Sequence, residues 1–483
     1  MSKFFVTTAI PYVNAKPHIG FALELVQTDT VARWHRSNNN EVWFLTGTDE
    51  NALKNVQAAE QAGQAPADFV TDMSQKFKQL GGVLNISNDD FIRTTEDRHV
   101  RGAKKLWSAC KGEDIYRKAY TGQYCVGCEQ FYTESELVNG LCPEHKIRPE
   151  QVSEENYFFK LSNYQIKLEQ LITSGELRII PESRKNEMLA FIRRGLEDFS
   201  VSRSVERTKG WGVGVPGDDS QVMYVWFDAL SNYITALDYA DNGDRYQQFW
   251  LNNQRRVHVI GKGISRFHCI YWPAMLLSAG VPLPTEIFIH GYITVEGEKI
   301  SKSLGNTVDP VELVERYGTD PVRYYLLREI SAYEDGDYSE EKFLQRYHSD
   351  LANGLGNTLS RVTNMIASYS EGRVVKQNKV ELAVEQIAKA MADWRFDVAL
   401  TNIMAWVKLV DGEVEQTKPW QLAKESQTEE LNKLLSRWHS ILLQVGESLA
   451  PFIPATSQKV VAILSAEKIT KAEPLFPRLE IKN

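Results

Sequence analysis

Through roughly the first 290 residues, short apolar runs rich in β-branched and aromatic residues alternate with stretches in which apolar residues return every three or four positions. The run Phe4–Ala9 reads as a strand buried on both faces. A turn of Pro, Asn and Lys follows, and then Ile19, Leu23, Val26, Val31 and Trp34 are spaced as on a helix packed against a sheet. A second strand, Glu41–Thr46, ends in Gly47–Asn51 and leads into a helical run through Ala62. Strand, helix, strand, helix in that order predicts a parallel sheet with right-handed crossovers. The rhythm breaks from about Arg117 to Val215 and resumes with Tyr224–Tyr233, an aromatic entry with a helix-like exit. Val257–Gly261 then predicts a buried strand, Ser265–Ala279 an amphipathic helix, and Glu286–Gly291 the last strand. Asp309–Tyr317 and Pro321–Ile330 are helical in period, and from about Glu340 nearly everything reads as amphipathic helix. The pattern is that of a ligand-binding parallel sheet joined to an all-helical bundle.

A chain of 483 residues has room for about three domains. No apolar run approaches the ~20 residues that span a bilayer. Its first residues run straight into a strand without a signal peptide's layout, so a cytoplasmic location and no membrane partner are expected. The net charge of −8 argues against nucleic acid only if charge is evenly spread. From Leu351 onward, 16 Lys and Arg face 15 Asp and Glu, a net of +1, against −9 for the remainder. That asymmetry permits nucleic-acid binding by the helical part without requiring it.

Candidate chemistry gathers at strand ends and in one loop. A strand that turns tightly into a helix offers free backbone N–H groups to phosphate, and His18 and Gly20 sit at that turn. In Gly297–Asn306 the ammonium groups of Lys299 and Lys302, three residues apart among small polar residues, can reach a polyphosphate. Ligands of parallel sheets sit at the carboxyl ends of strands, which brings Ile10–Gly20 and Gly47–Asn51 to one crevice. There Asp49 can accept hydrogen bonds from an ammonium or act as a helix N-cap, and His290 becomes a pocket candidate. Trp226 and Tyr233 can wall a flexible side chain or simply fill the core. Five cysteines are too few for a disulfide framework. Cys125 and Cys128, then thirteen residues, then Cys142 and His145, make the closed tetrahedral donor set of a structural Zn²⁺.

Pro17-His18-Ile19-Gly20 and, about 280 residues later, Lys299-Ile300-Ser301-Lys302-Ser303 together resemble the paired signatures of class I aminoacyl-tRNA synthetases. Within that class, Thr7–Gly20, Phe44–Glu50, the cysteine and histidine set, Tyr224–Tyr233, Arg266–Leu276, Phe288–Ser303 and Thr417–Trp420 resemble the methionyl-tRNA synthetase family over essentially the whole chain. The resemblance implies an α/β fold: a Rossmann-like parallel-sheet catalytic domain (1–116 and 216–294) interrupted by a zinc-binding connective insertion (117–215). A lysine-loop and stem-contact region (295–350) and an all-α anticodon-binding bundle (351–483) would follow. It implies that Ala9, Ile10, Tyr12, Asp49, Trp226, Tyr233 and His290 bind L-methionine. Pro17, His18, Gly20, Glu24, Gly261, Lys299, Ile300 and Lys302 would bind ATP with Mg²⁺, with His18, Lys299, Lys302 and Arg207 catalytic. Asn357, Arg361 and Trp420 would read the CAU anticodon of tRNA(Met).

Three positions depart from the family pattern. Phe21 stands where a second polar residue usually follows the glycine, Asn51-Ala52 where His-Gly is frequent, and Gly263 where a carboxylate is frequent. A paralogue that passes the amino acid to a non-tRNA amine would have little use for Trp420, Asn357 and Arg361. A non-catalytic tRNA binder would have little use for the two lysines. The chain ends soon after the helices, so a monomer is expected.

Overall fold

The computed structural model describes residues 2–127, 130–132, 134–143, 146–299, 307–374 and 380–479, without the side chains of Gln130, Ser135 and Lys299. The chain divides into two compact units. One comprises Met1–Pro17, Asn39–Gly82 and Ser87–His290; the other comprises His18–Asn38, Val83–Ile86 and Gly291–Asn483.

The first unit is built on a six-stranded parallel sheet. Its spatial order is Asp90–Arg93, Glu41–Thr48, Lys3–Thr8, Arg256–Gly261, Glu286–His290 and Arg178–Ile180. Phe5, Leu45, Ile92 and Ile287 from four of these strands are buried with Trp250 and Trp272 in one core, as a sheet covered on both faces requires. From the central strand Lys3–Thr8 the sheet runs through Glu41–Thr48 and Asp90–Arg93 on one side and through Arg256–Gly261 and Glu286–His290 on the other, so the switch point lies between Lys3–Thr8 and Arg256–Gly261. Segments leaving those two carboxyl ends frame the crevice where such sheets bind ligands. Four antiparallel strands (Gln130–Tyr132, Ile115–Cys125, Glu150–Phe159 and Phe199–Ser200) form a separate sheet inside the stretch that breaks the α/β rhythm.

Three details differ from the reading of the sequence. Arg178–Ile180, inside that interrupting stretch, supplies the outermost strand of the parallel sheet. Three residues are too few to show a period, and burial of Ile179 and Ile180 is what recruits them. Ser265–Ala279 is not one amphipathic helix. Phe267–Tyr271 is a π-type segment leading into Trp272–Ala279, and most of both is buried, so no polar face exists to create a moment. Glu286–His290 is the last strand of the parallel sheet but not of the chain, because Ile293–Val295 pairs with Glu298–Lys299 and with Gly336–Tyr338.

The second unit is mainly helical, with Asn357–Tyr369, Phe396–Thr417, Thr428–Ser448 and Pro454–Leu464 among its longer members. It also takes in the first helix, Ile19–Ser37. A buried cation explains that membership. Arg323, on Thr319–Arg328, pairs with Asp29 of the first helix at 2.7 Å, both side chains being fully buried. Arg323 also donates to the carbonyls of Phe452 (2.8 Å), Leu84 (3.1 Å) and Pro451 (3.2 Å). A guanidinium is tolerated out of water only with its charge and N–H groups matched in this way. No helix among the described residues is long and apolar enough to cross a membrane.

Candidate active site

In the first unit the crevice starts where the central strand ends. Ala9 donates to the Val259 carbonyl at 3.1 Å, which keeps the chain in the sheet until Ile10. Tyr12 then pairs with Asp49 in an isolated parallel bridge, and Asp49 N–H donates to the Pro11 carbonyl at 2.9 Å. Two loops at neighbouring strand ends are thereby fastened together. Glu50, fully buried, hardens the second loop: its carboxylate takes Arg93 Nε at 2.7 Å and its N–H donates to Thr94 Oγ1 at 2.9 Å. The Tyr12 ring meets the Trp226 ring edge-on at 6.2 Å, and Trp226 also stacks on Phe267 at 3.9 Å with the two rings nearly parallel. A ring clamped on one side by another ring is a preformed wall, suited to an unbranched polarisable side chain.

Tyr233 lies behind this wall and is 1% exposed. Its ring stacks on His258 at 3.9 Å, and its hydroxyl is 2.7 Å from His268 Nε2. The direction of that bond follows from the neighbours. His268 Nδ1 lies 3.0 Å from the Ile264 carbonyl, which only accepts, so Nδ1 carries the proton and Nε2 accepts from Tyr233. Burial lowers the His268 pKa to about 4 against a modest opposing pull from the Ile264 carbonyl, so the ring is neutral at physiological pH. His258 is neutral too, its pKa pushed well down by burial and by the nearby His268 and Arg256. Its Nε2 accepts from Trp272 at 3.2 Å, which leaves Nδ1–H for Thr7 Oγ1 at 2.9 Å. His290 is buried at the end of its strand, and its ring lies 3.5 Å from where a side chain on Gly261 would begin, at ordinary contact distance.

The second unit holds the other predicted group. His18 is the N-cap of the first helix, and its Nδ1 accepts from Gly20 N–H at 3.0 Å. A Cβ on residue 20 would come within 2.8 Å of the imidazole, so Gly20 is required by the histidine's own fold-back. With Nδ1 accepting, the neutral ring carries its proton on Nε2, a donor suited to phosphate oxygen. His18 keeps solvent-facing surface, yet close packing desolvates it and lowers its pKa. Ile19 N–H donates to the Val308 carbonyl at 3.2 Å, joining the histidine turn to the chain just past the lysine segment. Pro17 and Glu24 are buried; Lys299 pairs by its backbone with Thr294. Ile300 and Lys302 lie outside the described residues.

Arg207 has a different setting from the other predicted residues. It sits on the short helix Val205–Thr208, pairs with Glu154 at 3.1 Å and lies over the Tyr124 ring at 4.5 Å. These partners belong to the antiparallel sheet, and Arg207 and Glu154 line a cleft of about 450 Å³ that Leu53 and Gln57 also reach. Of the metal donors, Cys125 and Cys142 are buried in one small cluster with Tyr132 and Leu137. Cys128 and His145 lie outside the described residues. Asn357 is exposed at the start of its helix, Arg361 is held by Asp411 (2.7 Å) and Glu415 (2.6 Å), and Trp420 is 44% exposed.

Reading the sequence missed Phe267, which stacks on Trp226, and His258 and His268, which hold Tyr233. The signal was present in the aromatic density of Phe267–Trp272, but a π-type segment sets neighbouring side chains on faces that helical period cannot assign.

Against known families, residues 4–152 and 145–363 match the model described as tRNA synthetases class I (M). The methionine–tRNA ligase of Brucella melitensis biotype 1 is 43% identical over 480 residues, covering 96% of this chain and 92% of that protein. That of Thermotoga maritima is 40% identical over 515 residues, covering 100% and 81%. Among solved structures, Mycobacterium tuberculosis methionyl-tRNA synthetase in complex with methionyl-adenylate superimposes with a TM-score of 0.91 at 36% identity, covering 99% of this chain and 100% of that one. The apo form of the same enzyme gives 0.85 at 33% identity, covering 100% and 99%.

Proposed function

This chain belongs to the methionine–tRNA ligase family of class I tRNA synthetases, and from that premise we propose how its residues divide the work. The reaction has two steps. A carboxylate oxygen of methionine attacks the α-phosphorus of ATP; the bond to the bridging oxygen breaks, and pyrophosphate leaves. A hydroxyl of the tRNA's 3′-terminal ribose then attacks the carbonyl carbon of methionyl-adenylate, and AMP leaves. Neither step needs a covalent bond to the protein; both need alignment and positive charge where negative charge grows.

In this reading Asp49 accepts hydrogen bonds from the methionine ammonium, while Ala9, Ile10, Tyr12, Trp226 and His290 enclose its side chain. Tyr233 shapes the pocket from behind, its hydroxyl committed to His268. His18 donates Nε2–H to a phosphate oxygen beside Pro17, Gly20 and Glu24. Gly261 and Ile300 flank the nucleotide, and Lys299 and Lys302 offset charge on the departing pyrophosphate. Mg²⁺ accompanies ATP and adds charge neutralisation. Arg207, already paired with Glu154, orients the site from the insertion side. Cys125, Cys128, Cys142 and His145 would hold one structural Zn²⁺, a role that the shared burial of Cys125 and Cys142 supports. Asn357, Arg361 and Trp420 read the CAU anticodon, with the exposed Trp420 ring as a stacking surface. The parallel sheet and its insertion (1–116, 117–215, 216–294), the lysine-loop region (295–350) and the helical bundle (351–483) act as a cytoplasmic monomer.

The observation that carries the reading is the fastening of Asp49 to Pro11 and Tyr12 beside the Trp226 wall: a carboxylate and an aromatic slot at one strand-end crevice. Methionine-dependent ATP–pyrophosphate exchange followed by charging of CAU-bearing tRNA tests it. Both activities are expected. Exchange without charging would assign the chain to an amine-acylating paralogue, and tRNA binding without exchange would remove the catalytic roles.

A further inference from the structure

Asn51 is one of the departures from the family pattern, and in the structure it ties the two sides of the amino-acid pocket together. Its backbone N–H donates to Asp49 Oδ1 at 3.1 Å. Its side-chain Nδ2 donates to Asp228 Oδ2 at 2.7 Å and to the Thr94 carbonyl at 3.2 Å. Asp228 stands two positions after Trp226 on the same short helix, Val225–Leu230. It is itself held, since its other oxygen lies 2.6 Å from His99 Nε2, and His99 Nδ1 lies 2.8 Å from Thr235 Oγ1. Asp228 and His99 are both buried. A carboxylate at that depth needs a full set of donors, and Asn51 and His99 supply one to each oxygen.

We propose that Asn51 is a positioning residue that sets methionine specificity by fixing the distance between the Asp49 carboxylate and the Trp226 wall. The proposal rests on the reading of Asp49 as acceptor of the substrate ammonium. A slender amino acid gripped at its ammonium and at its far end is measured by the separation of the two grips. A brace between them turns that separation into a length gauge. The donor is the property that matters: amide and imidazole can each present a nitrogen-bound proton to Asp228, which accounts for Asn at a position where His is frequent.

Steady-state exchange kinetics with methionine and with ethionine, one methylene longer, test the brace. Asn51→Asp removes the donor at constant shape and sets a second carboxylate against Asp228. It is expected to raise the methionine KM about tenfold, the worth of one hydrogen bond to a charged group. The KM for ATP should stay within about twofold, and the methionine-to-ethionine preference should shrink. Asn51→His should restore methionine KM and preference. If Asn51→Asp does not fold, Asn51→His and Asn51→Ser decide, since serine is too short to reach Asp228; equal methionine KM in the two overturns the proposal. An Asn51→Asp enzyme with unchanged methionine KM and preference overturns it, as does one whose KM for ATP rises in step with that for methionine. Asp49→Asn separates the layers: if it raises methionine KM while Asn51→Asp does not, the brace alone falls. If neither changes methionine KM, the reading of Asp49 falls with it.

Discussion

Tyr233 and Trp420 are aromatic residues to which the proposed function gives methionine and the anticodon, and the molecule holds them in opposite ways. Tyr233 is 1% exposed, stacked on one histidine and hydrogen-bonded to another. Trp420 is 44% exposed on the six-residue helix Pro419–Lys424. On the proposed assignment, the difference fits what each region would recognise. A small amino acid must be enclosed, so its pocket is made of core residues and shares the core's energetics. An anticodon base arrives with its own bulk and needs a surface to stack on, so its reader is left outside the core at little cost in stability. Damage to the pocket should therefore appear in stability and activity together, and damage to the anticodon face in charging alone.

The largest effect should come from Trp226→Ala. It removes the ring between Tyr12 and Phe267 and is expected to raise methionine KM about a hundredfold. Stability should fall by about 3 kcal/mol in denaturant titration, as for other large-to-small changes in packed aromatic clusters. Loss of exchange with unchanged stability would break the comparison, because the wall would then not belong to the core.

Acid should also distinguish the regions. The His268 pKa is about 4 in the folded chain against about 6.5 unfolded. The unfolded state therefore binds more protons between these values. The stabilisation is fully present above about pH 6.5, declines as pH falls toward 4, and amounts to about 3 kcal/mol for this residue. His258, depressed in the same direction, adds to the slope. Thermal melts of wild type and His268→Gln from pH 4 to 7 check this; the variant should show the shallower dependence.

How much of this was legible beforehand depends on length and on period. The strand–turn–helix at Phe4–Ser37 announced itself through an apolar run, a turn and a helical period, each long enough to read. The grouping of Cys125 and Cys142 in one buried cluster was legible from their spacing, which needs no period. Arg178–Ile180 was not, being three residues recruited by pairing with Glu286–Phe288. Nor was the Tyr233–His268–His258 cluster, since a buried histidine looks the same in sequence whether it binds substrate or satisfies a neighbour. The first helix carried no mark that it would group with the helical unit, because the Asp29–Arg323 pair joins residues almost 300 positions apart.

Smaller effects are expected at the residues proposed to read the anticodon. Trp420→Ala should lower charging of CAU-bearing tRNA about tenfold, one base stack, with exchange and melting temperature unchanged. Arg361→Ala should cost less in charging, because Asp411 and Glu415 already compete for its guanidinium, and under about 1 kcal/mol in stability. An equal loss of exchange in either variant would show that the helical face is not confined to tRNA.

The central claim is that the His18 turn and the lysine segment serve one nucleotide, whereas methionine binds through other residues. Single-turnover adenylate formation, measured with methionine affinity in His18→Ala, Lys302→Ala and the double variant, tests it most directly. Each single change should slow adenylate formation about a hundredfold or more with methionine affinity within about twofold, and the double variant should lose less than the product of the two. Methionine affinity that falls in step with the rate, or a double variant whose loss equals that product, would contradict the account.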